Sequence, residues 1–121
     1  FYEAKHFSNK ELWKDKGTIP PVVDQITRYQ RQVELDKKDI LDEYRNYTQT
    51  MNSLFNLEIP EPEAIDPQVV LLIFGFDADQ RKGRLTELLL KDKSLSGIYH
   101  YEIGDTKGLE INNMWKANKC G

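Results

Sequence analysis

Cysteine and histidine are scarce in this chain: one Cys, Cys120, and two His, His6 and His100, in 121 residues. A lone thiol builds no disulfide framework and suits a reducing compartment, so the expected location is cytoplasmic. One Cys and two distant His also make a poor zinc ligand set. Long apolar runs are missing, with nothing near the ~20 residues of a membrane span and nothing like a secretory signal at the start, so no membrane is expected as a partner. No G-x-x-x-x-G-K-[ST], G-x-S-x-G or Cys/His nucleophile arrangement occurs, which removes nucleotide-triphosphatase and acyl-transfer chemistry by those routes. There is no initiator Met either, and the chain opens on a strand-like run, Phe1-Tyr2-Glu3-Ala4-Lys5. The expectation is a fragment or processed product of something longer.

Charge is plentiful and unevenly spread. The formal balance is −3, a weak argument against a dedicated nucleic-acid coat. Residues 58–79 carry six carboxylates and no cation, whereas 80–93 set Arg81, Lys82, Arg84, Lys91 and Lys93 against Glu87 and Asp92. Lys5, Lys10, Lys14 and Lys16 make the first twenty residues basic as well. Two local phosphate-attracting patches therefore fit within an acidic chain, although a solvated helix face is the commoner use of such runs.

The apolar pattern predicts one α/β domain over 1–121, in the order β-α-α-β-α-β. Residues 1–5 read as a strand, followed by a short helical turn around Asn9–Lys14 that Gly17 ends. Pro20-Pro21 open a helix, where a fixed φ costs nothing. Val22, Ile26, Tyr29 and Val33 form a stripe expected to face inward. The stripe resumes as Ile40, Tyr44, Tyr47, Met51 and Leu54, and two helices are expected to meet near Leu35–Lys37, with Asp36 or Asp39 capping the second. Burial is the expected fate of helix 37–57; a homo-oligomer face through Tyr44, Tyr47, Met51 and Phe55 is the alternative. Pro60, Pro62 and Pro67 make 58–67 a loop. The unbroken run Val69–Phe76 predicts a strand covered on both faces. Asp79 is expected to start a helix whose Leu85, Leu88 and Leu89 face the sheet. A strand over Ile98–Ile103 follows, with His100 on a half-exposed face, then a turn at 104–108 and a last strand around Leu109–Ile111.

Glu3 and Lys5 are i and i+2 in a strand, so they share a face. A carboxylate there can hold a divalent ion while the ammonium orients or helps deprotonate a water. The plainer alternative is an edge-strand ion pair worth little. Asp36/Lys38 and Asp105/Lys107 have the same spacing, but the first lies between helices, where i and i+2 point apart, and the second in a glycine-flanked turn. Gln25 and Tyr29 lie one helical turn apart, placed to look back at the strand end.

On Glu3-Ala4-Lys5, Gln25-Ile26-Thr27-Arg28-Tyr29 and the apolar strand that follows, the sequence resembles the PD-(D/E)xK nuclease superfamily, in the branch with a Q-x-x-x-Y helix. The resemblance implies a restriction-endonuclease-like mixed sheet with flanking helices, of which this chain would be the C-terminal portion. It implies Mg²⁺-dependent phosphodiester hydrolysis on DNA, with Mn²⁺ as a substitute ion. Glu3 would be the metal ligand, Lys5 would support the nucleophilic water, and Gln25 would lie beside the site. The family's first Asp and an earlier helical acid would precede Phe1. Lys10, Lys14, Arg81, Lys82 and Arg84 would attract the backbone, and Tyr29 would contact phosphate or pack beneath the site.

A rival constellation is Asp77-Ala78-Asp79 with Gly83 behind it. Two carboxylates at the carboxyl end of a buried strand can gather Mg²⁺. This segment resembles the D-x-D of Toprim domains, with Glu3 standing in for the earlier Glu, although the glycine comes one residue late. More simply, Asp77 ends the strand and Asp79 caps the helix. A catalytically silent α/β interaction module is the third alternative.

Overall fold

A computed structural model describes residues 1–15, 18–104 and 118–119; for Leu88, Asn118 and Lys119 it describes the backbone alone. Lys16, Gly17, Cys120, the Asp105/Lys107 turn and the strand expected at Leu109–Ile111 fall outside the described residues. The chain divides into two compact units, Phe1–Arg28 with Val69–Gly121, and Tyr29–Gln68.

The first unit is a mixed α/β sheet of β1 (Tyr2–His6), β2 (Val70–Phe74), β3 (Tyr99–Ile103) and β4 (Asn118–Lys119), in that spatial order. The first three strands are parallel; β4, in what the sequence reads as a polar tail, is antiparallel to β3. Parallel neighbours need crossovers. Helix α1 (Pro21–Leu35) opens at Pro21 as expected, with Val22 and Ile26 fully buried. After β2 comes α3 (Ala78–Gln80), which runs on as a π-helix over Arg81–Leu90. Its widened turns show at Thr86, whose Oγ1 donates to the Arg81 carbonyl at 2.6 Å and whose carbonyl accepts from the Lys91 N–H at 3.2 Å. Leu85 and Leu89 point into the core.

That core forms against one sheet face. Leu71 and Ile73 cluster with Leu12, Val22, Ile26, Leu85, Leu89 and Leu95. Burial of the β2 run on both faces, expected from its continuous hydrophobicity, is only partial: Val70 and Phe74, on the opposite face, are half-buried. The helical residues that join the cluster meet the side of β2 that carries Leu71 and Ile73. Beyond β2, Gly75 takes φ +76°, and a Cβ there would meet His6 Nε2 at 2.3 Å, so the turn requires glycine.

The second unit contains the end of α1 and α2 (Lys37–Phe55). Asp36 separates the two helices as expected, but its carboxylate accepts from Gln32 Nε2 and forms no cap bond to α2. Asn56 ends α2 in the left-handed region, and Asn52 ties down the following loop by donating to the Ile59 carbonyl and accepting from its N–H. The Arg45 Nε donates to the Pro62 carbonyl at 3.0 Å. The stripe expected to be buried on α2 is instead largely exposed at Tyr44, Tyr47 and Leu54, while Thr48 is the buried residue. Two helices and a proline-rich loop offer too little surface to cover it.

Candidate active site on the first strand

Alternation along β1 sends Glu3 and Lys5 to the core side and Tyr2, Ala4 and His6 to the other. Lys5 is only 7% exposed. Its Nζ donates to Glu3 Oε1 at 2.7 Å and to Glu11 Oε2. Glu11 arrives from a 3-10 turn, Lys10–Leu12, just past the strand. Asn9 caps that turn, its Oδ1 accepting the Glu11 N–H at 2.9 Å, and Leu12 anchors it in the core. Burial would lower the Lys5 pKa, but the hydrogen bonds to Glu11 and Glu3 outweigh it and hold the ammonium above its ordinary value. Lys5 is therefore a fixed cation at neutral pH.

Strand register extends the polar face. Glu3 pairs with Leu71 and Leu71 with His100; Lys5 pairs with Ile73 and Ile73 with Glu102. Two polar pairs thus flank the apolar β2 on one side of the sheet. His100 is buried, not half-exposed as its strand position suggested, because it turns toward the core side. Its Nε2 lies 3.1 Å from Glu102 Oε1, and Arg81 Nε donates to Glu102 Oε2 at 2.7 Å. The His100 hydrogen bond, with help from Arg81, lowers the Glu102 pKa against the opposing effect of burial. Phe76, Asp77, Arg81, Glu102 and Gly104 border an open cleft of about 250 Å³ at the carboxyl ends of β2 and β3.

The other expected site residues have these positions. Gln25 is half-buried on the side of α1 that carries Val22 and Ile26. Tyr29, expected to pack in that stripe, is 44% exposed. Asp77 is the cap of α3, accepting from the Gln80 N–H at 2.8 Å while its own N–H donates to Gln80 Oε1 at 3.0 Å; the cap therefore lies two residues before the expected Asp79, which is exposed. Glu3 does not join Asp77 and Asp79. It registers with Leu71, and the three strand steps from Leu71 to Phe74 alone separate them by about 10 Å.

Of the cations expected to meet a nucleic-acid backbone, Lys14 pairs with Asp92, Arg81 with Glu102, and Arg84 lies over the Trp13 ring at 4.0 Å. Lys10 and Lys82 are exposed. No motif in the sequence singles out Glu11 or Glu102, and His100 is expected on its strand without the partner it has in Glu102. Asn9 two residues ahead of Glu11 is the one signal that could have placed Glu11 in a capped turn beside the strand end.

Among the described residues no helix is long and apolar enough to cross a membrane. Compared with protein families, curated proteins and solved structures, the chain matches none.

Proposed function

We propose that this chain carries the Glu–Lys pair of a metal-dependent phosphodiester-hydrolysing site acting on DNA, in a restriction-endonuclease-like fold of the PD-(D/E)xK type. The observation that supports it is the buried Lys5 ammonium held 2.7 Å from Glu3 on one strand face. Sequestering a lysine from water costs free energy unless paired carboxylates offset it, and such a pair is better suited to a site than to a strand edge.

The donor chemistry fits a hard divalent ion. Glu3 offers carboxylate oxygen, and Mg²⁺ takes one or two carboxylates together with substrate phosphates and waters. Among the described residues no three Asp, Glu, His or Cys side chains form a closed ligand cage. Glu3 would hold Mg²⁺, or Mn²⁺, which when bound polarises the phosphate and acidifies water. In the hydrolysis a water oxygen bonds to phosphorus and releases a proton to solvent, while the leaving oxygen departs with the electron pair of its P–O bond and takes up a proton from solvent. Paired with Glu3 and Glu11, the Lys5 ammonium serves as donor and counter-charge. An ammonium has three N–H donors, and Glu3 and Glu11 use two. The third can orient water or a non-bridging phosphate oxygen. Gln25, on the sheet-facing side of α1, would border the same site.

The test uses the intact protein and Mg²⁺-dependent cleavage of duplex DNA. Glu3→Gln and Lys5→Ala should each abolish cleavage, and Asp77→Asn should leave it nearly unchanged. The reverse pattern would support the Toprim-like assignment. Folded protein that neither binds metal nor cleaves DNA would leave the silent interaction module.

A further inference from the structure

We propose that Glu11 is the positioning residue of the site, the second anchor that keeps the Lys5 ammonium in place; this rests on the hydrolytic reading above. A lysine has four rotatable side-chain bonds and is a flexible point charge unless fixed at its tip. Glu3 fixes it from the strand, at 2.7 Å. Under the hydrolytic reading, however, Glu3 also holds the divalent ion, and electron density drawn to an ion is withdrawn from Lys5. Glu11 is free of that second task. It meets Nζ from a different element, the 3-10 turn after β1.

That turn is built to deliver Glu11. Asn9 Oδ1 accepts the Glu11 N–H at 2.9 Å, and the Asn9 carbonyl accepts the Leu12 N–H at 3.2 Å. Leu12 is fully buried. Trp13 closes the turn: its Nε1 donates to the Phe7 carbonyl at 2.9 Å, and its ring meets the Phe7 ring edge-on at 5.0 Å between centroids. The backbone under Glu11 is thus held on both sides, which separates this contact from a chance surface ion pair. The Glu11 side chain itself is 44% exposed against 16% for Glu3, so it closes the solvent side of the ammonium. Removing it should free Lys5 to swing without unfolding the strand, and misplacing a catalytic group slows the chemical step more than it weakens binding.

The experiment compares wild type, Lys5→Ala, Glu11→Gln and Asn9→Ala in the intact protein. Three quantities are read: kcat and KM for Mg²⁺-dependent duplex cleavage, the thermal midpoint, and the ¹H–¹⁵N signal of the Lys5 ammonium. Glu11→Gln should lower kcat by about tenfold or more with KM within about twofold, as expected for an interaction that matters in the transition state. The midpoint should stay close to wild type, and the Lys5 ammonium signal should broaden or vanish. Asn9→Ala, which loosens the turn without touching Lys5, should give a weaker version of the same pattern. If Lys5→Ala abolishes cleavage while Glu11→Gln keeps wild-type kcat and ammonium signal, the positioning role is overturned and the hydrolytic reading stands. If Lys5→Ala costs nothing, or the intact protein does not cleave, the hydrolytic reading fails first and takes the positioning role with it.

Discussion

Asp92 has a side chain only 9% exposed and three donors around it. Lys14 Nζ pairs with Oδ2, and Ser94 gives Oδ1 both its Oγ–H, at 2.7 Å, and its N–H, at 2.9 Å. The Lys14 bond first, then those of Ser94, pull the carboxyl from 3.8 to about 2 against the opposing effect of burial. A carboxylate depressed in the folded state adds stability that is fully present above its unfolded pKa and is lost as pH falls through the folded one. The window here runs from about pH 4 down to about pH 2. Asp92→Asn should therefore cost about 1–3 kcal/mol at neutral pH, the scale of charge-assisted hydrogen bonds. The gap to wild type should shrink below pH 4 and close near pH 2 in urea unfolding taken at a series of pH values. A gap of constant size across that window would show that packing, and not charge, gives Asp92 its value.

At the scale of elements, the start of α3 has two competing uses for the same carboxylate. A capping box ties Asp77 to Gln80 in both directions, satisfying an orphan N–H at the helix start. Asp77→Ala should cost about 1 kcal/mol, and Asp77→Ser, another good cap, should recover most of it. Both should leave DNA cleavage unchanged; a loss of cleavage in Asp77→Ser with stability intact would revive metal binding there. The box was legible as Asp-x-x-Gln, yet sequence reading put the cap at Asp79. The strands were easier. The apolar run at 69–76 and the aromatic run at 98–103 contain β2 and β3, since β-branched and aromatic residues bounded by glycines leave few alternatives. The α2 stripe misled because helical period reports an amphipathic face but not what covers it. For the site, spacing alone put Glu3 and Lys5 together. Glu11 depended on a capped turn; His100 and Glu102 have the same i, i+2 strand spacing as Glu3 and Lys5, but their place on the same sheet face as that pair depended on the parallel register, which local spacing does not give.

Over the whole molecule, charge divides by unit. Glu58, Glu61, Glu63 and Asp66 fall in the unit Tyr29–Gln68, and the basic residues expected to meet phosphate, Lys10, Lys14, Arg81, Lys82 and Arg84, all belong to the other. Within that other unit the formal count overstates the available positive charge. Lys5 lies between two carboxylates, Lys14 is paired with Asp92, Arg81 with Glu102 and Lys91 with Glu87. Lys10 and Lys82 are exposed and carry no such pairing among the described residues. Counterion release makes this measurable, because each phosphate neutralised adds about 0.9 to the slope of log affinity against log salt. If the chain meets duplex DNA through its unpaired cations, Lys10→Ala and Lys82→Ala should each flatten that slope by about 0.9, and Lys14→Ala should barely change it. The measurement is fluorescence anisotropy of a labelled duplex between about 50 and 200 mM KCl, the range over which such contacts lose most of their affinity. Lys14→Ala should instead lower stability, since it leaves Asp92 without its strongest donor. Equal flattening by Lys14→Ala and Lys10→Ala would mean that Lys14 leaves Asp92 to reach phosphate, and the pairing would then be a resting contact that DNA displaces.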